Sequence, residues 1–175
     1  MNFPKYPSIS NLHKTTDILQ CSCVVTEKVH GTNTRVMFNA EKFGLVLGSR
    51  ENTIYAAGSR IGELYGFTDY ALKNIEPKLK EAKRYYDYVF YGEFFGAGIQ
   101  KGVSYCEGKE FLVFDILEPN TDRLLDWDEV KKVCEIVGFK TVPEIMSGMI
   151  TVADLEAIRD NVSVVGKDNG YALAF

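Results

Sequence analysis

At 175 residues, 46% hydrophobic and 25% charged, with a net charge of −4, the chain has the size and composition of one soluble domain with a real core. The acidic balance argues against general avidity for nucleic acid, which is largely phosphate neutralisation, and leaves a local basic groove as the way to meet such a ligand. No apolar run approaches the roughly 20 residues needed to cross a bilayer, and Met1-Asn2-Phe3-Pro4-Lys5-Tyr6-Pro7 lacks the basic-then-apolar order of a signal peptide. The expectation is an intracellular, cytoplasmic protein.

Cys21 and Cys23 form an isolated CxC, Cys106 and Cys134 stand far away, and there are two histidines. That spacing does not meet a zinc site. The cysteines read as small core residues in a reducing compartment.

Residues 3–20 are mixed and read as an irregular lead-in. Cys23-Val24-Val25 and Arg35-Val36-Met37-Phe38 are β-branched and apolar, and Gly31 and Asn33 between them are turn formers, so this stretch reads as strand, tight turn, strand. Alternation along the strand sets Lys28 and His30 on one face, Glu27 and Val29 on the other. A lysine turned into a pocket is a candidate nucleophile, although a lysine amine is largely protonated at neutral pH, its ordinary pKa being about 10.4. Such a site must desolvate it or crowd it with positive charge. A solvated lysine on a hairpin has the same spacing.

Residues 39–44 read as a turn and Leu45-Val46-Leu47-Gly48-Ser49-Arg50 as a third strand, completing an antiparallel meander. Residues 53–68, with Gly58, Gly62 and Gly66, read as loop with a short helix. Asp69 to Tyr86 is helical, interrupted near Pro77, and its lysines form a solvated face or an RNA-facing one. Asp87 to Gly96 is an apolar strand carrying Glu93, a carboxylate that needs a cation or hydrogen-bond donors if buried. Gly96-Ala97-Gly98-Ile99-Gln100-Lys101-Gly102 misses GxGxxG, and no P-loop occurs. Glu110 to Leu117 is apolar on both faces, which marks a covered central strand, and Asp115 is unusual there. Leu125 to Gly138 is an amphipathic helix with an acidic first turn and a glycine stop. Phe139 to Ile145 is extended, and 151–159 is a second short helix.

Glu27-Lys28-Val29-His30-Gly31-Thr32-Asn33 resembles the nucleotidyl-acceptor motif of the covalent nucleotidyltransferases, the superfamily of DNA ligases, RNA ligases and capping enzymes. Histidine two residues after the lysine is similar to the T4 RNA ligase 2-like branch of ATP-dependent RNA ligases. Gly-Ser-Arg50, Tyr-Gly-Glu93-Phe-Phe-Gly and Phe111-Leu-Val-Phe114-Asp115-Ile resemble, in order, further motifs of that branch. The resemblance implies an α+β fold of antiparallel β-sheets with flanking helices around a nucleotide cleft, an adenylation domain of the nucleotidyltransferase, ATP-grasp-like ligase type. It implies ATP and Mg²⁺ as cofactors, RNA ends (a nicked duplex or single strands) as partners, and RNA repair as the role. By the same resemblance Lys28 is the nucleophile that forms lysyl-AMP, and Arg50 and Asn33 contact the nucleotide. Glu93 takes the ribose hydroxyls, Phe114 stacks on the base with Phe111 as the alternative, His30 lies near the phosphates, and Glu27 counts among the nucleotide contacts.

The likeness weakens at the end of the chain. Asn169-Gly170-Tyr171-Ala172-Leu173 falls where the family carries Glu-Gly-x-Val, so Asn169 would be a weak metal ligand without charge. The family's final lysine-bearing strand has no counterpart in 1–175, so residues 1–175 read as a single adenylation domain cut after its fourth motif. A degenerate nucleotide-binding protein of the same fold, or a DNA ligase or capping-type enzyme, is the alternative.

Overall fold

The computed structural model describes residues 3–14, 16–101, 105–119, 121–159, 161 and 163–166. In chain order these form β1 (Ser22–Thr26), β2 (Thr32–Asn39), β3 (Gly44–Ser49), β4 (Thr53–Ala56), β5 (Ser59–Arg60), α1 (Phe67–Asn74), α2 (Glu76–Glu81), β6 (Val89–Gly96), β7 (Lys109–Glu118), β8 (Arg123–Leu124), α3 (Trp127–Val137), β9 (Lys140–Thr141), β10 (Glu144–Met149) and α4 (Val152–Arg159). The main sheet runs β5-β4-β3-β2-β6-β7-β8, with β9 beside β7. Every pairing in it is antiparallel except β7 with β9. This is the expected α+β class.

Alternation decides the two faces of the sheet. Val36 and Phe38 of β2, Leu45 and Leu47 of β3, and Phe90 and Phe94 of β6 join Phe67, Leu79, Val133 and Val137 of the helices in the principal core. The other parity, Met37, Val46, Val89 and Tyr91, makes a second cluster covered by Phe3 and Tyr6 of the lead-in. Helix α3 closes the first core as its sequence requires: Glu129 accepts a hydrogen bond from the Asp126 backbone at 3.0 Å. Gly138 ends the helix at φ 78°, a conformation that favours glycine.

Three sequence expectations are corrected. β1 and β2 form no hairpin: β3 and β6 occupy both edges of β2, so β1 crosses to a separate two-stranded sheet with β10, Cys23 opposite Gly148. Residues 53–60, expected as loop, extend the meander as β4 and β5, because Val46 and Leu47 of β3 still offer a free edge to Tyr55 and Ala56. Of the four cysteines only Cys134 is buried, while Cys21 is exposed and the other two are intermediate.

Phe90 is fully buried and meets Phe139 edge to face at 5.2 Å. Phe90→Ala is expected to lower unfolding free energy by about 3–5 kcal/mol, read from the midpoint of urea denaturation at unchanged slope.

Candidate active site

The five residues Glu27 to Gly31 carry the chain from the small sheet to the large one, and their backbone is held from several sides. The Glu27 amide donates to the Pro143 carbonyl at 2.9 Å. The His30 amide donates to the Tyr105 hydroxyl at 3.1 Å. The Gly31 amide donates to Glu93 Oε1 at 3.0 Å, and the Gly31 carbonyl accepts from Gln100 Nε2 at 2.6 Å. A Cβ at Gly31 would lie 2.4 Å from the Phe94 carbonyl oxygen and 2.7 Å from Phe95 Cβ. Only glycine lets this loop lie against β6. The side chains follow the expected alternation, with Glu27 and Val29 buried, Lys28 and His30 exposed.

The loop opens onto the sheet face opposite α1–α3. On that face Asn33 of β2 stands directly opposite Glu93 of β6. The β2–β3 pairing ends at Thr34 opposite Ser49, so Arg50 emerges beside Asn33. The arginine is exposed, its Nε 4.0 Å from Glu51. Burial lifts the Glu93 carboxyl to about 7, and the Gly31 amide and the charge of Lys28 offset this only in part. The Asn33 Oδ1 is buried without a hydrogen-bond partner among the described residues.

A β-bulge decides between the two phenylalanines. Tyr91 pairs with Asp115 and Gly92 with Val113, so Phe114 is the extra residue. Phe111 goes to the helix-side core, 5.9 Å from Phe67. Phe114 packs with Tyr6 and with the cluster of Val29, Phe95 and Leu112 on the same side as Glu93. The bulge also accounts for Asp115, which accepts from the Tyr6 hydroxyl at 2.9 Å.

Glu27 is placed differently from the other expected contacts. Its carboxylate accepts from the Ser163 hydroxyl and from the amides of Val164 and Val165 at 2.9 and 3.2 Å. Asn169 lies outside the described residues. Among the described residues no three His, Cys, Asp or Glu converge as a metal site. The cavity of about 640 Å³ lies beside this centre, lined by Phe95, Tyr105, Leu112, Cys134, Phe139 and Val165 among others, and Lys28, Asn33, Glu93 and Phe114 do not line it.

Four residues at the site were not singled out by sequence. Gln100 and Tyr105 brace the loop from the segment after β6, and Ser163 meets Glu27. Arg35 is 3% exposed, with Nε and Nη1 unpartnered among the described residues and the Phe3 ring 4.6 Å from its guanidinium carbon. A polar strand residue two positions from Asn33 on the same face was the available signal for Arg35. No pattern in the sequence marks the others, because their partners are distant in the chain.

A lysine on a braced loop thus stands beside a half-buried carboxylate, an amide oxygen with no partner among the described residues, and an aromatic ring. A family profile for RNA ligase matches residues 22–171, and the chain belongs to that family. Solved structures share the fold. An archaeal ATP-dependent RNA ligase is 19% identical with a TM-score of 0.67, over 97% of this chain and 44% of that one. A lysine-to-alanine variant of the Naegleria gruberi RNA ligase, solved with ATP and manganese, is 17% identical with a TM-score of 0.72, over 94% and 51%. An apo variant of a Naegleria gruberi RNA ligase is 16% identical with a TM-score of 0.73, over 98% and 52%. The chain spans about half the length of these relatives. No helix among the described residues is long and apolar enough to cross a membrane.

Two outcomes are expected from this geometry. Gly31→Ala should unfold at lower urea and displace the loop, since the new methyl meets the β6 backbone. The raised Glu93 pKa means that its contribution to stability is present in full below 4.5 and is lost as pH rises through about 7. Wild-type stability measured against Glu93→Gln should therefore fall between pH 4.5 and 8, and a flat difference would refute the burial of this carboxyl.

Proposed function

We propose that this chain is the nucleotide-activating part of an ATP-dependent RNA ligase, with Lys28 as the residue that becomes adenylylated. The observation that carries this reading is the orientation of Lys28: exposed on a loop fixed through its backbone, and on the side of Glu93, Asn33, Arg50 and Phe114. The neutral amine of Lys28 attacks the α-phosphorus of ATP and loses a proton to solvent. The N–P bond forms, the bond to the bridging oxygen breaks, and pyrophosphate leaves. The 5′-phosphate of an RNA then displaces the lysine amine to give RNA-adenylate. A 3′-hydroxyl attacks that 5′-phosphorus, sealing the strand and releasing AMP.

In this scheme the protein positions groups and offsets charge. Glu93 accepts from the ribose diol when ionised, and the unpartnered Asn33 Oδ1 gains a donor from the nucleotide. Arg50 provides a planar cation for phosphate. The exposed His30 is carried beside the phosphates, and Phe114 offers its ring to the base. Mg²⁺ would neutralise the triphosphate, with Asn169 as a weak, uncharged ligand to it. RNA ends as partners and RNA repair as the role belong to the same proposal and are in keeping with the family match.

The test is intact mass and peptide mapping after incubation with ATP and Mg²⁺. One AMP is expected on Lys28, and none in a folded Lys28→Ala variant. Adduct persisting in that variant sinks the assignment. A second reading, nucleotide binding without transfer, is favoured by asparagine at position 169. It predicts saturable ATP binding with no adduct in the wild type. Because the ionised Glu93 is the stronger acceptor for the diol, ATP affinity should weaken as pH falls through about 7, and Glu93→Gln should bind more weakly with little pH dependence, by equilibrium dialysis.

A further inference from the structure

The residue just before the nucleophile is almost wholly buried. Glu27 is 2% exposed and points away from the face that Lys28 shares with Glu93. A carboxylate withdrawn from water needs its lone pairs occupied, and here the partners come from a segment 136 residues away in the chain. Oε1 accepts from the Ser163 hydroxyl, and Oε2 accepts from the amides of Val164 and Val165 at 2.9 and 3.2 Å. Ser163, 1% exposed, in turn accepts from the Gly166 amide at 2.8 Å. The hydrogen bonds therefore run from Gly166 through Ser163 to Glu27, one peptide bond from Lys28. Val165, delivered by this turn, packs against the cluster of Val29, Phe95 and Leu112 to which Phe114 also belongs.

We propose that Glu27 is a positioning residue: a latch that seats the 163–166 turn against the nucleophile loop and so fixes Lys28, rather than a contact to the nucleotide base. This rests on the reading of Lys28 as the adenylylated residue, and it departs from the expectation that Glu27 touches nucleotide. A base amine would have to displace a donor already held by the carboxylate. Two consecutive amides and a hydroxyl converging on one carboxylate form a rigid joint, whereas a nucleotide contact would leave acceptor capacity turned to the open face.

The experiment uses the whole chain with Ser163→Ala and Glu27→Ala. It measures lysyl-AMP formation over a range of ATP and GTP concentrations, and backbone hydrogen exchange without nucleotide. The latch predicts that each variant slows adenylylation at saturating ATP by about ten- to a hundred-fold. The half-saturating ATP concentration and the preference for ATP over GTP should stay unchanged, and the double variant should be no slower than Glu27→Ala alone. Exchange at Val164 and Val165 should accelerate in both variants. A raised half-saturating ATP or lost ATP preference in Glu27→Ala, with Ser163→Ala silent, assigns Glu27 to the base and overturns the latch. Ser163→Ala removes one hydroxyl, so the comparison survives if Glu27→Ala folds poorly. Hydrogen exchange keeps the two readings apart: with no lysyl-AMP in the wild type, faster exchange in the variants still upholds the latch, and unchanged exchange ends it.

Discussion

The hydrogen bond from the Gly31 amide to Glu93 is the point on which the site depends. It joins the loop carrying Lys28 to the central strand of the large sheet, and it exists only because position 31 has no side chain to keep β6 away. It also gives Glu93 a hydrogen-bond donor. The bond thus fixes the loop by its backbone, leaving the Lys28 side chain free to reach outward. It also ties the protonation of the carboxyl to the position of the lysine, whose charge favours the ionised form of Glu93. Gln100 on the Gly31 carbonyl and Tyr105 on the His30 amide extend the same arrangement, so the loop has little freedom left at its Gly31 end.

Much of this was legible in the sequence, for local reasons. Alternation alone separates Glu27 and Val29 from Lys28 and His30, and the run from Val89 to Gly96 declares a buried strand with one carboxylate to satisfy. The helix from Trp127 to Val137 is written out in its acidic first turn, its apolar stripe and Gly138. The failures concern pairing, which local pattern does not encode. Strand 22–26 and strand 32–39 are neighbours in the chain with a turn-forming glycine between them, the usual ingredients of a hairpin. What prevents it is that β6 and β3 claim both edges of β2. Likewise, Thr53 to Arg60 looked irregular because Gly58 separates strands only four and two residues long.

At the site, residue types were easier to read than residue engagements. Glu93, Asn33 and Phe114 share one face, as an ordered set of motifs implies, and the family match is in keeping with that. The choice of Phe114 over Phe111 needed the bulge, a one-residue irregularity without a sequence signal of its own. The partners of Glu27 required knowledge of where residues 163–166 return, a contact formed only by the finished fold. Sequence patterns report faces and periods, whereas donors and acceptors meet across long loops.

Gly48 and Arg35 face each other across β3 and β2, and a methyl group at position 48 would lie 2.5 Å from Arg35 Nε and 3.0 Å from the Phe3 ring. The two strands therefore share one volume: the arginine fills the space that the glycine leaves, and the lead-in closes over it. A side chain at position 48 therefore requires the Arg35 side chain and the Phe3 ring to shift together.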